Sequence, residues 1–289
     1  MRYICFGEVL FDCLPSGAVL GGAPLNVSYH LTQLGDEGWV LSALGKDELG
    51  DRAIKEMKER GQSISMIGRV DEPTGRADIS LTDGDADYTF NYPCSWDAIP
   101  VPLCSFPEDT DLIYFGTLAQ RSQRSRETLN ALFQKVRAKE VFYDVNIRKD
   151  FYSKALIIKG MEMATILKVN DDELPLILSL ADLNSGDYRK DVERLSATYG
   201  LKYVIITKGG KGSEVYGKGR WTEVEVEKSL SVVDTVGAGD SLSAGFCHTL
   251  FLTGDEKKAL TIGSKIASFV VTRKGAMPEY PESFVDSLG

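Results

Sequence analysis

Asp234-Thr235-Val236-Gly237-Ala238-Gly239-Asp240 is followed by apolar residues at helical spacing, Leu242, Phe246 and Leu250. Small residues let the backbone bend so that consecutive N–H groups point outward where a helix begins. The orphan N–H groups and the positive end of the helix dipole add together, so this turn suits an anion. Asp240 stands in the same turn. A carboxylate beside an anion hole is electrostatically unfavourable unless it has work there. A general base would do such work, taking a proton from a hydroxyl while the hole stabilises a phosphoryl group. A loop–helix junction with Asp as a cap is the competing reading.

The rest of the chain narrows the choice. Its 289 residues suffice for one large α/β domain, and 43% apolar with 26% charged residues is a globular composition. A net charge of −9 argues against a nucleic-acid partner. No apolar run reaches the roughly 18 residues that span a bilayer, so no membrane role is expected. The start of the chain lacks the charged-then-apolar pattern of a secretion signal. Cys5, Cys13, Cys94, Cys104 and Cys247 are scattered and form no Cys-x-x-Cys pair, which fits a cytoplasmic protein without a zinc site or disulfide framework. His30 and His248, the two histidines, read as structural.

In chain order, Tyr3 to Phe6 reads as a buried first strand, with Glu8 and Asp12 after it. Ligands of parallel sheets collect at the strands' carboxyl ends, so Asp12 could meet one; an exposed loop acid is the alternative. In Gly21-Gly22-Ala23-Pro24-Leu25-Asn26 the glycines allow close backbone approach, Pro24 suits a first helical turn, and Asn26 can donate and accept hydrogen bonds. That combination suits a polyhydroxylated ligand. The helix it opens should run to about Leu34. Trp39 to Leu44 reads as a strand, and a helix bearing Leu49, Ala53, Ile54 and Met57 should stop at Gly61. Thr74 to Thr82 and Tyr88 to Tyr92 tend to alternate polar and apolar residues around Asp83-Gly84-Asp85. They read as an antiparallel hairpin inserted as a lid, or as a surface hairpin. Lids in phosphoryl transfer exclude water.

From Asp111 the strand–helix alternation returns: strands at Leu112 to Phe115, Val141 to Tyr143, Thr165 to Val169 and Tyr203 to Ile206, with helix faces between them. Arg148, in Asp144-Val145-Asn146-Ile147-Arg148, is a candidate anion or hydroxyl clamp or a surface ion-pair partner. Asn170-Asp171-Asp172-Glu173 opens a helix; its acids are ordinary dipole partners, and Asn170 and Glu173 also suit hydrated Mg²⁺. Thr207-Lys208-Gly209-Gly210-Lys211-Gly212 lacks the spacing of the Walker phosphate loop, and no Rossmann fingerprint follows the first strand. Repeated strand–helix units predict a mostly parallel sheet with helices on both faces.

The two glycine motifs, with Gly45-Lys46-Asp47 and Gly50 between them, resemble the ribokinase/PfkB family of sugar kinases from Gly7 to about Pro281. Gly-Gly-Ala-Pro-x-Asn with Asp144 to Arg148 is most similar to the fructokinase branch. The resemblance implies a single ribokinase-like domain over 1–289: a three-layer α/β/α sandwich with a small β-sheet lid from about 12–20 and 74–100. It implies that Asp240 is the base, that the amides of Gly237, Ala238 and Gly239 form the anion hole, and that Asp12, Gly22, Asn26 and Arg148 hold the sugar. Asn170 and Glu173 would place Mg²⁺ through water. Thr207, Gly209 and Gly212 would touch ATP, and Asp234, Val236 and Gly275 would surround K⁺. Many relatives carry Ala-Asn at the adenine edge, where Ile262-Gly263 stands here, so Gly263 is the expected purine-side residue. The implied activity is ATP-dependent phosphorylation of a sugar, fructose before ribose, 2-keto-3-deoxygluconate or a nucleoside. A sugar-binding regulator without turnover is the alternative from another class. An exposed lid sheet could pair with a second copy, giving a homodimer.

Overall fold

The computed structural model describes residues 1–14, 17–82, 85–226 and 231–289, with backbone alone at 14, 79–82 and 85–88. The expected Asp83-Gly84 tip therefore lies outside the described residues, as do Pro15 and Ser16 within the expected lid.

The chain opens with β1 (Arg2–Phe6), β2 (Leu10–Leu14), β3 (Gly17–Gly21) and α1 (Ala23–Gln33). Next come β4 (Glu37–Gly45), α2 (Glu48–Glu59), β5 (Ile67–Val70), β6 (Gly75–Thr82) and β7 (Asp85–Phe90). Then β8 (Leu112–Gly116), α3 (Gln123–Lys135), β9 (Glu140–Asp144), α4 (Lys154–Met163), β10 (Ile166–Asn170), α5 (Glu173–Leu180), α6 (Tyr188–Tyr199) and β11 (Tyr203–Thr207) alternate. The chain ends through β12 (Ser213–Gly217), β13 (Arg220–Val224), α7 (Ala238–Thr253), α8 (Glu256–Val271) and α9 (Glu282–Asp286).

The main sheet has nine strands in the order β13-β12-β11-β10-β9-β8-β1-β4-β5. Its strands from β11 to β5 are parallel, and β12 and β13 are antiparallel. Burial follows the two-residue period of a strand. In β1, Ile4 and Phe6 face one core with Leu129 and Leu132 of α3, Ile157 of α4, Ile177 of α5 and Leu195 of α6. Tyr3 and Cys5 face the other with Val27 and Leu31 of α1, Leu242 and Phe246 of α7 and Leu260 of α8. Val40 and Leu44 of β4 pack with Ala53 and Met57 of α2 and with Tyr29 of α1. The result is the expected three-layer α/β/α sandwich. Strand order reverses between β1 and β8, which opens a crevice at the carboxyl ends of the strands.

A second sheet of four strands, β3-β2-β6-β7, stands apart from the first. Its β6–β7 pair is the expected hairpin, with Thr82 opposite Asp85. Asp12 proves to lie within β2, between Val19 and Ala77, rather than in a loop after β1. A run of five residues bounded by a short connection carried too little periodicity to be read as a strand. The expected lid segment also changes character before residue 100: Cys94, Trp96, Ala98 and Ile99 are buried, and all but Ala98 are assigned to the core that holds α3. The turn at Thr207 to Gly212 joins β11 to the antiparallel edge strand β12, which the sequence pattern did not show.

The helix that starts at the Asp234–Asp240 motif is fixed by close packing. A Cβ on Gly263 of α8 would stand 2.7 Å from the Leu242 carbonyl oxygen and 3.2 Å from the Phe246 amide, both on α7. Gly263 is thus a helix-packing residue, whose missing Cβ lets α8 approach α7 closely. Gly263→Val should lower stability in urea unfolding by about 1–3 kcal/mol through overpacking; an unchanged midpoint would show that the two helices can separate freely.

Candidate active site

The crevice collects the ends of β1, β9, β10 and β11 and the beginnings of α1 and α7. Gly22 precedes α1 with φ 111°, and a Cβ there would collide with the Glu8 carbonyl oxygen, so glycine alone fits. The close approach sets Asn26, one turn into α1, against α7: its Nδ2 donates to Asp240 Oδ2 at 2.8 Å. The Asn26 Oδ1 is buried and has no hydrogen-bond partner among the described residues. A buried acceptor left open costs free energy until a donor meets it, so this position fits the hydroxyl of a ligand.

Gly237 caps α7 in the left-handed region at φ 79°, with no side chain closing the helix end. Its missing Cβ leaves room for Ala276, whose own Cβ would lie 2.6 Å away. The Ala238 amide turns back to the Thr235 carbonyl at 3.3 Å. Gly239 and Asp240 follow at positions where helix geometry supplies no acceptor for the amide. Asp234 ties this loop to the next one: Oδ1 accepts from the Val236 amide and Oδ2 from the Gly275 amide, each at 3.0 Å. The three residues expected around a monovalent cation are therefore together.

Four carboxylates converge with few cations. Burial pushes the Asp240 carboxyl up to about 6; Asp144 adds to the shift, while Lys168, Arg148 and the Asn26 bond oppose it. Asp12 is pushed to about 6 by burial, against the nearby charge of Arg148 and with that of Asp240. Glu8 is 4% exposed, its Oε2 has no hydrogen-bond partner among the described residues, and burial takes it to about 7. Arg148 is exposed, and its charge acts on Glu8, Asp12 and Asp240 alike. Asp12, Gly22, Asn26, Arg148 and Asp240 thus meet in one place from four separate stretches.

On the β10 side, Asn170 Oδ1 accepts from the amides of Asp172 and Glu173 at 3.0 and 2.7 Å. Glu173 takes the Ile147 amide at 2.7 Å on one oxygen and the Asn170 amide at 3.0 Å on the other. Both side chains are anchored by backbone and keep further lone pairs, an arrangement that fits an ion held through its water shell. Among the described residues no cluster of three His, Cys, Asp or Glu side chains could ligate a metal directly. Asp171 and Asp172 are exposed, and Asp171 lies 3.9 Å from Lys211. Thr207 ends β11 beside them, its carbonyl accepting from the Asp171 amide at 2.9 Å. Gly209 and Gly212 shape the turn that follows, where Lys208 donates its amide to the Gly212 carbonyl at 2.8 Å.

Both histidines are structural: His30 is buried between the Ala276 carbonyl and Tyr280, and His248 bonds Asp36. Lys168 and Asp144, joined at 2.7 Å inside the crevice, were not singled out from the sequence. The available signal was a lysine inside the apolar run Ile166-Leu167-Lys168-Val169.

Comparison with known proteins bears on the family and the fold. The profile of the pfkB family carbohydrate kinases matches residues 17–283. A probable fructokinase-5 of Arabidopsis thaliana is 31% identical over 96% of this chain and 94% of its own. A fructokinase double mutant of Vibrio cholerae, in a form with fructose, ADP and potassium bound, superposes with a TM-score of 0.84 at 18% identity, covering 99% of this chain and 97% of that one. The aminoimidazole riboside kinase of Salmonella enterica, complexed with its riboside and an ATP analogue, gives 0.80 at 22% identity, covering 100% and 98%.

The raised position of Glu8 has a signed consequence. A carboxyl whose folded pKa lies above its unfolded value binds more protons in the native state, so stability falls as pH rises from about 4.5 to about 7. Glu8→Gln removes the buried charge. At pH 8 the variant should exceed the wild type in urea unfolding by roughly 2–4 kcal/mol, and the gap should close below pH 4.5. Parallel pH profiles for the two proteins would contradict this.

Proposed function

The chain belongs to the pfkB family of carbohydrate kinases, and on that premise we propose that this ATP-dependent sugar kinase phosphorylates fructose with Asp240 as general base. The observation that carries the reading is the junction of Asn26 with Asp240: a carboxylate at an uncapped helix start, held by an amide whose own acceptor is open.

In this reading Asp12, Gly22 and the Asn26 Oδ1 hold sugar hydroxyls, and Arg148 offsets the charge of the acids around them. The reacting hydroxyl loses its proton to Asp240 as its oxygen bonds to the γ-phosphorus, and the bond to the ADP oxygen breaks. The amides at the start of α7, Gly239 first among Gly237, Ala238 and Gly239, meet the charge on the phosphoryl oxygens. Thr207, Gly209 and Gly212 line the ATP side. Asn170 and Glu173 would hold hydrated Mg²⁺, which when bound neutralises charge between the phosphates. Asp234, Val236 and Gly275 would surround K⁺; the solved potassium-bound relative supports that ion, and here the Asp234 bonds keep the loop in shape.

The small sheet serves as a lid over the sugar, bringing Asp12 with it, and its edge strands β3 and β7 are where a second copy would pair. Five free cysteines support the cytoplasmic placement. A riboside acceptor is the second reading, favoured by the likeness to the aminoimidazole riboside kinase. A missing hydrogen-bond partner in a closed site discriminates more strongly than size, which is worth about 1–3 kcal/mol per methylene.

A coupled ADP-release assay tests both levels. Among fructose, ribose, glucose and 2-keto-3-deoxygluconate, fructose should have the highest kcat/KM. A tenfold win for another sugar would keep the kinase and remove the fructose assignment. Asp240→Asn should fold, bind sugar and lose roughly 10²–10⁴ in kcat; near-normal turnover would remove Asp240 from the base's role.

A further inference from the structure

The bonds that hold His30 in the core also reach the site. His30 lies on α1 one turn beyond Asn26, and residues four apart share a helix face. Its Nε2 lies 2.9 Å from the Ala276 carbonyl oxygen, and its Nδ1 lies 2.6 Å from the Tyr280 hydroxyl. A carbonyl oxygen can only accept, so Nε2 carries a proton and donates it. Burial pushes the imidazole down to about 4, so at neutral pH the ring holds that one proton and Nδ1 accepts from Tyr280. The Tyr280 ring also stacks on the imidazole, with 5.6 Å between centroids. One tautomer is thereby fixed.

The oxygen that His30 holds stands at the start of α7. A Cβ on Gly237, the cap of that helix, would lie 2.8 Å from the Ala276 carbonyl oxygen and 2.7 Å from the Ala276 Cα. The preceding amide, that of Gly275, is held by Asp234 at 3.0 Å. Further along, Met277 gives its carbonyl to Arg60 Nη1 at 3.2 Å and Pro278 gives its own to Gln33 Nε2 at 3.4 Å. Of these ties, the one from His30 holds the residue that packs on Gly237. So α1 bears on the start of α7 twice, through Asn26 on Asp240 and through His30 and Ala276 on Gly237. Core filling does not account for a histidine here, since an apolar side chain would fill the space without burying two polar nitrogens.

We propose that His30 is a positioning residue of this kinase: held by Tyr280 as the tautomer that donates from Nε2, it fixes Ala276 against Gly237 and so sets the turn whose amides meet the phosphoryl group. The inference rests on the kinase reading above. His30 touches no reactant, and no proton leaves it during the reaction. It acts through the backbone. If Ala276 shifts, the left-handed cap at Gly237 loses its support and the amides at the start of α7 move off their common target. Preorganised donors lose value when they must reorganise as charge develops. A displacement of about 1 Å far from the chemistry can cost on the order of 10²-fold in rate. One rigid helix thus aligns the sugar, through Asn26, with the phosphoryl site, through His30.

The test uses the full chain, the ADP-release assay and the best sugar of the panel, well below the melting temperature of each variant. His30→Leu fills the space but removes donor and acceptor. It should lower kcat by about tenfold to 10²-fold while KM for the sugar stays within about threefold, since Asn26 and Asp12 are untouched. His30→Gln restores an amide donor and an oxygen acceptor and should recover most of the lost turnover. Tyr280→Phe keeps the stacked ring and deletes the donor that fixes the tautomer; its kcat should fall by about three- to tenfold, and it decides the question if His30→Leu does not fold. Gln33→Leu cuts the tie two residues further along and should cost stability without slowing kcat. Turnover within about twofold of the wild type in Tyr280→Phe or in folded His30→Leu, or an equal loss of kcat in Gln33→Leu, would reduce His30 to a core residue and overturn the inference. A wild type that phosphorylates no sugar of the panel would instead overturn the kinase reading beneath it.

Discussion

Asn26 and Asp240 are 214 positions apart in sequence and 2.8 Å apart in space, and the crevice depends on that bond. It joins the start of α1 to the start of α7, the two helices whose first turns bring the glycine motifs together. It also sorts the donors and acceptors. Asn26 spends an N–H on Asp240; in the proposed reading its oxygen would then face the ligand, and the other oxygen of Asp240 would take the hydroxyl proton. The bond works against burial, which pushes the Asp240 carboxyl upward. A base with a pKa near 6 is ionised at neutral pH yet basic enough to take a proton as the bond to phosphorus forms.

The same crevice is short of positive charge. Glu8, Asp12, Asp144 and Asp240 gather around Lys168 and Arg148, and burial raises the pKa of three of the four acids. Acids held that way destabilise the fold at neutral pH, and such a cost is commonly concentrated where function needs it. In the proposed reading a polyhydroxylated sugar would answer it with donors, and the amides of α7 would answer the phosphates. The main sheet can carry this strain because its two cores are apolar and its helices pack closely, as Gly263 against α7 shows.

Much of this was legible in the sequence for stereochemical reasons. Gly22 and Gly237 adopt backbone conformations that side chains resist, and each stands beside the polar residue it serves, so the motifs announce both turn and chemistry. The parallel strands were legible as apolar runs bounded by polar ends, since strands buried on both faces read that way. What escaped notice has reasons as well. β2 is five residues long, too short a run to be read as a strand around Asp12. β12 and β13 form an antiparallel edge with partly exposed residues and leave a weaker pattern. The packing of Gly263 on Leu242 is visible only in three dimensions. Lys168 was passed over because a lone lysine reads as solvent-facing, and its partner Asp144 is a neighbour across the sheet rather than along the chain.

The most direct measurement is a crystal structure of the protein with fructose and a non-hydrolysable ATP analogue. The account predicts a sugar hydroxyl about 2.6–3.2 Å from the free oxygen of Asp240, in line with the terminal phosphorus, with a second hydroxyl donating to Asn26 Oδ1. A sugar bound away from Asp240, with Asn26 Oδ1 still unpartnered, would contradict it.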